Sequence, residues 1–388
     1  MKTPEIHSPR ILNLRKLLGK SSFFLLGPRA TGKTQMIRRQ LGKHALVIDL
    51  LQSEQYLRLT ENPSLIEEIV AKETGRRPIV IDEVQRIPML LNEVHRLIET
   101  RRLTFLLTGS SARKLKRKDV NLLAGRAWRA ELFPLTWREL GGRFDLDRFL
   151  RLGGLPQVYL AAEPEEVLWA YCDTYLEQEI QAEALVRNIS AFSRFLKVAA
   201  LCNGRVINFS KIGSDAGVAP STVRQYFGLL EDTLLGFELP AWKESKRRKA
   251  TQTSKFYLFD TGVARTLAQT RELDRNSDLY GRAFEHFIAG EVRAYLSYRR
   301  IREPLCHWRT KHGHEVDILV GNRLAVEVKA SRKVSERDLT GLRSLAEEGV
   351  HDRFLLVSQD PIERKHDRFE FLPWKVFLKS LWNDQLLE

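Results

Sequence analysis

Eight residues from Gly27 to Thr34, GPRATGKT, have the spacing of a phosphate-binding loop. The apolar run Ser22–Leu26 before them predicts a buried strand, and the residues Gln35–Leu41 after them predict the start of a helix. In such a loop, backbone N–H groups surround phosphate oxygens, Lys33 reaches the β- and γ-phosphates and the Thr34 hydroxyl binds Mg²⁺. We therefore predict a nucleotide site whose loop residues are Gly27, Pro28, Arg29, Ala30, Thr31, Gly32, Lys33 and Thr34.

Two further segments predict the other half of this site. The strand Ile79–Ile81 is followed by two acids, of which Asp82 would hold the Mg²⁺ and Glu83 would polarise the attacking water. The apolar run Leu103–Leu107 is followed by Thr108 and Ser110, either of which could sense the γ-phosphate between the two other strands. The spacing therefore indicates a Mg²⁺-dependent site for ATP or GTP.

Arginines near this site have two interpretations. Arg126, on a predicted loop, would reach the γ-phosphate of a neighbouring subunit if the protein forms a ring. The alternative is an ordinary ion pair between Arg126 and a surface carboxylate. Arg29, inside the phosphate loop, is a rival contact to the nucleotide.

A second group of acids occurs in the last third of the chain. Glu285 lies near the start of a predicted helix, Asp317 lies in an apolar strand, and Glu327-Val328-Lys329 follows in the next strand. This is the pattern of the PD-(D/E)XK nuclease core, in which carboxylates hold a divalent ion and a lysine positions or activates water. We predict Glu285, Asp317 and Glu327 as metal ligands, and Asp317, Glu327 and Lys329 as catalytic residues. Glu315 would share a face with Asp317 and is an alternative ligand.

The turn between the two strands tests this nuclease hypothesis. With a two-residue turn, the acids at 317 and 327 would point to opposite faces of the sheet. A three-residue turn, Gly321–Arg323, pairs Val320 with Leu324 and therefore Asp317 with Glu327. We predict the three-residue turn, with Ile318, Val326 and Val328 on the opposite, apolar face.

Two alternatives to the nuclease hypothesis stay open. The two strands could form an amphipathic hairpin whose polar face is simply exposed. A zinc site could use Cys306 with His307, His312 and His314, although their irregular spacing favours surface or supporting histidines.

The region between the two groups predicts a helix-turn-helix. Residues Phe209–Val218 form the first helix and the turn at Gly217, and Pro220 opens the second helix. The second helix would present Ser221, Thr222, Arg224 and Gln225 outward to DNA while Val223, Phe227 and Leu230 face the core. The basic run that follows, with Lys246, Arg247 and Arg248, would bind phosphates of the DNA backbone as the wing of a winged helix. The alternative is that this helix pair contacts another subunit.

Composition limits the class of protein. The 388 residues carry 63 Lys and Arg against 49 Asp and Glu, a formal net charge of +14, which favours a nucleic-acid partner. The three cysteines are too few and too widely spaced for a disulfide framework, which fits a reducing cytoplasm. No apolar run approaches the ~20 residues needed to span a bilayer, so we expect no membrane partner.

The predicted fold class is α/β with several domains. An AAA-type P-loop domain with a parallel sheet would occupy residues 1–140, and a helical lid or connector residues 141–188. A winged helix-turn-helix would occupy residues 189–272 and a small α/β restriction-endonuclease-like domain residues 273–388.

The order of the motifs resembles that of the bacterial and archaeal AAA-family ATPases that carry a C-terminal domain of unknown function. The motifs are GPRATGKT from Gly27, IVIDEVQ from Ile79, LLTGSS from Leu106, LLAGRA from Leu122, GGLPQVY from Gly153, YLFDTGVA from Tyr257, GRAFE from Gly281, HWRTKHGHEVDILV from His307 and EVK from Glu327. The resemblance implies an AAA-type ATPase joined to a winged helix and a nuclease-like fold. It also favours ATP over GTP.

Two functions are therefore expected, from different classes. The first is Mg²⁺-dependent ATP hydrolysis coupled to binding and remodelling of structured or branched DNA, with cleavage left open, in a cytoplasmic homo-oligomer such as a ring. The second is a nucleotide-gated regulatory or scaffolding ATPase with an inactive nuclease-like domain and a protein partner.

Overall fold

The computed structural model describes residues 8–71, 77–111, 123–175, 188–244 and 251–387. The chain divides into two compact units. The first comprises Met1–Leu135 with Asp232–Leu235, and the second comprises Thr136–Glu231 with Gly236–Glu388. The three regions predicted as connector, winged helix and nuclease-like domain thus lie almost entirely in the second unit.

The first unit is built on a parallel sheet of five strands, as predicted. The strands are β1 Ser22–Leu26, β2 Leu46–Asp49, β3 Ile79–Asp82, β4 Phe105–Gly109 and β5 Ala127–Glu131. Their order in the sheet is β2-β3-β4-β1-β5, and every neighbouring pair is parallel. Strand β4 therefore lies between β1 and β3. From this position its C-terminal end lies beside both the phosphate loop that follows β1 and the acids Asp82 and Glu83 at the end of β3. Its residues are all buried, as expected for a central strand of a parallel sheet.

Helices cover this sheet. They are α1 Leu14–Leu18, α2 Lys33–Gln40, α3 Ser53–Glu61, α4 Leu65–Ile69 and α5 Leu90–Arg101, with 3₁₀ turns at Gly42–His44, Val84–Arg86 and Leu123–Gly125. Apolar side chains of α5, including Leu90, Val94 and Leu97, pack with the strand residues Ile79 and Phe105 in one buried cluster. This packing orders the sheet whose C-terminal edge carries the predicted nucleotide residues.

The second unit begins with short helices. They are α6 Trp137–Leu140, α7 Leu146–Leu152, α8 Pro156–Tyr159 and α9 Pro164–Ala170, with a 3₁₀ turn at Gly141–Arg143 and a π-helical turn at Tyr171–Tyr175. Pro156 and Pro164 each stand in the first turn of their helix, where a missing N–H costs no helical hydrogen bond.

A helix-turn-helix follows, as the sequence predicts. Helices α10 Ile189–Leu201, α11 Phe209–Ala216 and α12 Pro220–Asp232 precede an antiparallel pair of strands, β6 Gly236–Leu239 and β7 Lys255–Leu258. Gly217 adopts a φ of +67° in the turn, which favours glycine. A Cβ on Gly213 would lie 2.7 Å from the backbone oxygen of Val218 in the turn, so the turn folds back too closely on α11 for any other residue at this position.

The rest of the second unit is a mixed sheet of six strands with helices. The elements are α13 Thr261–Leu267, α14 Asp278–Arg299, β8 Leu305–Arg309, β9 Glu315–Val320, β10 Leu324–Lys329, α15 Thr340–Ala346, β11 Arg353–Ser358, β12 Arg364–His366, β13 Phe369–Pro373 and α16 Trp374–Trp382, with a 3₁₀ turn at Glu336–Leu339. The strand order is β12-β13-β11-β10-β9-β8. Helix α14 packs against β10, and α15 packs against β9 and β10.

The register of β9 and β10 agrees with the three-residue turn. Leu324 pairs with Val320, Ala325 with Leu319 and Val326 with Ile318, in antiparallel order. Continuing this register by one pair places Asp317 opposite Glu327, on one face of the sheet. The opposite face carries Ile318, Val326 and Val328, all buried. The register prediction is confirmed.

Candidate functional site

The phosphate loop connects β1 to α2 with a strained, close-packed backbone. Ala30 and Gly32 have positive φ values of 62° and 90°, and Gly32 caps the N-terminus of α2. A Cβ on Gly27 would lie 2.5 Å from the backbone oxygen of Leu132, so this position requires glycine. Thr31 donates a hydrogen bond of 2.8 Å to the carbonyl of Pro28. The loop therefore turns its backbone toward a helix N-terminus, the geometry that receives an anion.

Lys33 lies inside this loop. Its ammonium donates to the carbonyl oxygens of Gly27, at 2.7 Å, and Pro28, at 3.1 Å. The side chain is buried, with 6% of its residue surface exposed. A buried cation held in the loop is suited to meet phosphate oxygens there.

The predicted Mg²⁺ ligands meet at the C-terminal edge of the sheet. The Thr34 hydroxyl donates to Asp82 Oδ2 at 2.9 Å, and the Thr108 hydroxyl donates to Asp82 Oδ1. Asp82 and Thr108 are both buried. Hydroxyl and carboxylate oxygens are the donors that Mg²⁺ prefers, so the residues present fit this ion.

Glu83 directly follows Asp82 in an unusual conformation. Its φ is 62°, and its backbone N–H donates to Thr108 Oγ1 at 3.0 Å. Gln85 Nε2 donates to Glu83 Oε2 and to Ser110 Oγ, the latter at 3.2 Å. The two candidates at the C-terminal end of β4 thus have different contacts: Thr108, in the strand, contacts Asp82 and Glu83 directly, whereas Ser110, just after it, is linked to Glu83 through Gln85.

Sequence reasoning missed Gln85. It is a polar residue with 4% of its surface exposed, and a Cβ on Gly109 would lie 2.7 Å from its Oε1. Its position three residues after Asp82 is the only local signal that could have identified it.

The two arginines occupy different settings. The Arg126 guanidinium forms an ion pair with Glu99, and this bond is the largest cause of a lowered pKa of the Glu99 carboxyl. Both side chains are substantially exposed. The contact matches the alternative of a surface ion pair, and a role in trans stays a prediction. Arg29 is half-buried in the phosphate loop.

The second group of acids comes together around a lysine that the sequence analysis did not include. Lys255 Nζ lies 2.8 Å from Glu285 Oε1, 2.6 Å from Glu315 Oε1 and 3.1 Å from Asp317 Oδ1. Its side chain is 3% exposed. We call Lys255, Glu285, Glu315, Asp317, Glu327 and Lys329 the lysine–carboxylate cluster. Helix α14 and strands β7, β9 and β10 position it.

The remaining contacts of the cluster involve β10 and Tyr257. Lys329 Nζ donates to Glu327 Oε1 at 2.5 Å, and the Val328 backbone N–H donates to Asp317 Oδ2 at 2.9 Å. Tyr257 donates its hydroxyl hydrogen to Glu285 Oε1 at 2.5 Å. Glu327 Oε2 is buried and has no hydrogen-bond partner among the described residues.

Burial and neighbouring charges shift the pKa values within the cluster. Burial, followed by the charge of Asp317, raises the pKa of Glu285 to about 7 and that of Glu327 well above its usual range. Burial also opposes ionisation of Asp317, but Lys255 and Lys329 outweigh it and lower that pKa. Burial opposes the charged form of Lys255 as well, yet Glu285 and its neighbours raise the lysine pKa well above its usual range. The cluster thus keeps a protonated lysine among its carboxylates.

This arrangement does not fit a divalent ion as it stands. The predicted ligands Glu285, Asp317 and Glu327 do converge, but the ammonium of Lys255 bonds two of them and that of Lys329 bonds the third. Within the described ranges, no three His, Cys, Asp or Glu side chains are arranged to hold a metal.

The alternative zinc residues have other contacts. His307 Nε2 lies 3.0 Å from the Thr253 carbonyl and His314 Nδ1 lies 3.1 Å from Ser344 Oγ. His312 is exposed. Burial lowers the pKa of His307 to about 4, so that ring is neutral near pH 7.

A cleft of about 780 Å³ opens onto the lysine–carboxylate cluster. All six residues of the cluster line it, together with Arg205, Arg309, Arg337 and Asp338. Arg205 and Arg337 are exposed, and Arg309 lies 3.6 Å from Glu315. The cleft is therefore lined both by the lysine–carboxylate cluster and by three arginines.

The second helix of the helix-turn-helix exposes most of its predicted DNA contacts. Ser221, Arg224 and Gln225 are exposed and Thr222 is half-buried. The Arg224 guanidinium lies 4.5 Å above the centre of the Phe209 ring. The predicted core residues Val223, Phe227 and Leu230 are buried. Lys246, Arg247 and Arg248 lie outside the described residues, so their predicted contacts with phosphates are not tested.

Three family models match successive parts of the chain. The AAA domain model matches residues 20–141, which contain the whole predicted nucleotide site. The match supports an AAA-type P-loop domain over these residues. Two models described as domains of unknown function, DUF8612 and DUF4143, match residues 143–274 and 280–377.

Relatives cover most of the chain. An uncharacterized protein of Mycobacterium tuberculosis is 29% identical over 334 residues, which are 81% of this chain and 72% of the relative. An uncharacterized protein of Methanocaldococcus jannaschii is 21% identical over 275 residues, 63% of this chain and 62% of the relative.

Two solved structures have limited similarity. A Walker-type ATPase of Pyrococcus abyssi matches with a TM-score of 0.44 and 16% identity, covering 66% of this chain and 93% of that one. The Orc1 protein of Aeropyrum pernix, solved in complex with DNA, matches with a TM-score of 0.27 and 15% identity, covering 69% and 94% of the two chains. Separately, every helix in the described ranges is too short or too polar to cross a membrane.

Proposed function

We propose that this protein is a Mg²⁺-dependent ATPase that couples hydrolysis to the binding and remodelling of DNA, with structured or branched duplexes as its substrate. The observation that carries the ATPase assignment is the hydrogen-bonded set of Thr34, Asp82 and Thr108 beside the phosphate loop. This set brings together residues from α2, β3 and β4, three elements far apart in sequence. The match of residues 20–141 to the AAA domain model supports it.

Each residue of the nucleotide site has a role that follows from its position. Lys33 would bind the β- and γ-phosphates from inside the loop, and Thr34 and Asp82 would hold Mg²⁺. Bound Mg²⁺ would neutralise charge on the phosphate oxygens. Glu83 would polarise the attacking water, with Gln85 fixing its carboxylate. Thr108 fixes Asp82 and the Glu83 backbone at the same time.

Charge and exposed polar groups support DNA as the partner. The chain carries a net charge of +14, and α12 exposes Ser221, Arg224 and Gln225 after a helix-turn-helix bend. A second helix of this kind can enter the major groove, where arginine and glutamine read base edges. We therefore propose that residues 189–272 form a winged helix. The proposal of a restriction-endonuclease-like domain for residues 273–388 is supported by the β9–β10 register, which brings Asp317 and Glu327 to one face.

A second candidate function is a nucleotide-gated regulatory or scaffolding ATPase with a protein partner. The contacts of Lys255 favour it, because this ammonium bonds the carboxylates that an active nuclease would use for metal. In that case α12 would contact a protein, and hydrolysis would be slow and insensitive to DNA.

One assay separates the two candidates. ATP hydrolysis is measured with and without single-stranded, duplex and four-way-junction DNA for the wild type, Glu83→Gln and Asp317→Ala, while strand cleavage is followed with Mg²⁺ or Mn²⁺. DNA-stimulated hydrolysis that is lost in Glu83→Gln supports the proposal. Wild-type hydrolysis unchanged by every DNA contradicts it and favours the regulatory ATPase.

The salt dependence of DNA affinity is a second test. Each phosphate neutralised by the protein releases counterions, so affinity should fall steeply as salt rises. Affinity that does not change with salt would contradict a contact with the DNA backbone.

A homo-oligomer, such as a ring, is part of the proposal and depends on Arg126. If Arg126 acts in trans, adding excess Glu83→Gln chains to Arg126→Ala chains should restore hydrolysis, since each variant supplies the group that the other lacks. Mixed samples no more active than the separate variants would leave Arg126 as the partner of Glu99 alone.

A further inference from the structure

We propose that Lys255 takes the place of a divalent ion in the lysine–carboxylate cluster and excludes metal from it. The cleft would then act on a bound partner without metal-dependent hydrolysis. This inference does not depend on the partner being DNA.

The first support is the set of contacts that the ammonium makes. Three carboxylate oxygens, from Glu285, Glu315 and Asp317, lie between 2.6 and 3.1 Å from Lys255 Nζ. They come from a helix and a strand that a metal would also have to bridge. A divalent ion requires the same oxygens at about 2.0–2.6 Å, so it would stand almost in contact with the ammonium and be repelled by it.

The second support is the way the fold holds Lys255. Its strand pairs with β6 through the Leu239–Lys255 pair, and an isolated bridge joins Lys255 to Val206. Tyr257, two residues along and therefore on the same face of β7, donates to the same oxygen of Glu285 as Lys255. Two neighbouring side chains of one strand thus bind one carboxylate. Paired on both sides, this part of the backbone presents the lysine to the cluster.

The third support is the remaining carboxyl, Glu327. The residue lines the cleft, its Oε1 accepts from Lys329, and its Oε2 is buried without a hydrogen-bond partner among the described residues. This oxygen would become a metal ligand if the competing ammonium were removed. The acids of a metal site are therefore present, and the cation among them belongs to the protein.

The test measures Mn²⁺ binding to the full-length protein without nucleotide, by electron paramagnetic resonance of free Mn²⁺. The proteins are the wild type, Lys255→Met and Lys255→Met/Asp317→Asn, which share the same phosphate loop, so only differences between them are used. We expect Lys255→Met to bind one more Mn²⁺ per chain than the wild type, and Lys255→Met/Asp317→Asn to lose it. An equal Mn²⁺ count in the wild type and Lys255→Met would overturn the proposal.

Removing Lys255 leaves buried carboxylates without a counter-charge, so Lys255→Met can be unstable. Lys255→Met/Glu315→Gln restores the charge balance, because it removes one carboxylate together with the ammonium. Glu315 is chosen since it is the most exposed carboxyl bound by Lys255, at 27%. Thermal unfolding of both variants is then followed with and without Mn²⁺. A midpoint raised by Mn²⁺ in the variants and unchanged in the wild type supports the proposal. A wild-type midpoint that Mn²⁺ raises, and that Asp317→Asn makes insensitive to Mn²⁺, contradicts it.

The metal measurement is independent of the proposed function. If no DNA changes ATP hydrolysis but Lys255→Met gains a Mn²⁺ site, the DNA proposal fails and the role of Lys255 stands. If DNA stimulates hydrolysis while the wild type binds Mn²⁺ in the cluster, the proposed role of Lys255 fails and the DNA proposal stands.

Discussion

Thr108 is the residue on which the nucleotide site most depends for its internal geometry. Its hydroxyl donates to Asp82 and accepts from the Glu83 backbone N–H at 3.0 Å, and the residue is fully buried. Thr108→Val keeps the shape of the side chain and removes both bonds. The Asp82 carboxylate then loses a donor, and the N–H of Glu83, in its left-handed conformation, loses its acceptor.

The expected effect follows from the value of one hydrogen bond to a charged group. Such a bond contributes about 1.5–3 kcal/mol, which corresponds to about 10- to 150-fold in rate if it is used fully in the transition state. We therefore expect the kcat of ATP hydrolysis to fall by about 10- to 150-fold in Thr108→Val. ATP affinity should change much less, because Lys33 and the loop backbone are untouched.

The assay compares steady-state hydrolysis with the binding of a fluorescent ATP analogue for the wild type, Thr108→Val and Thr108→Ser. Serine retains the hydroxyl and serves as the matched control, so it should keep most of the rate. Wild-type kcat in Thr108→Val, or an equal loss in both variants, would refute the role assigned to the hydroxyl.

Four further predictions concern the second unit. A Cβ on Gly341 would lie 1.8 Å from the backbone oxygen of Glu315, so Gly341→Ala should lower the free energy of unfolding by about 3 kcal/mol. Gly290 lies in open space within a long helix, so Gly290→Ala should raise the free energy of unfolding by about 0.5–1 kcal/mol. A urea unfolding midpoint equal to that of the wild type would contradict the prediction for either variant. Burial raises the pKa of Glu291 to about 8 from a usual 4.5. Its contribution to stability is therefore complete below pH 4.5 and is lost as pH rises to 8, by about 3–5 kcal/mol. Glu291→Gln should flatten that part of the stability profile, and an unchanged slope would show that Glu291 titrates normally. Arg224→Ala should weaken DNA binding by about 1–3 kcal/mol and reduce discrimination between base sequences, because Arg224 is proposed to read base edges, and unchanged affinity and discrimination would remove it from those contacts.

Local sequence patterns determined much of this protein. The spacing of glycine, lysine and threonine from Gly27 to Thr34 predicted the phosphate loop, and apolar runs predicted strands β1, β3 and β4 of the parallel sheet to within two residues. The turn at Gly321 predicted the register that brings Asp317 and Glu327 to one face. These features depend on side-chain period, turn length and backbone freedom, which act over only a few residues.

Only the tertiary structure decided how those elements are used. It gave Thr108 and Ser110 different contacts, because Ser110 is linked to Glu83 through Gln85. The contacts of Gln85 with Glu83 and Ser110 follow from the parallel arrangement of β3 and β4. It also placed Lys255 among carboxylates that follow it by 30 to 62 residues. No spacing rule joins a lone lysine on one short strand to acids on a later helix and strand. Such a contact depends on how distant strands and helices pack, which the local pattern around Lys255 does not encode.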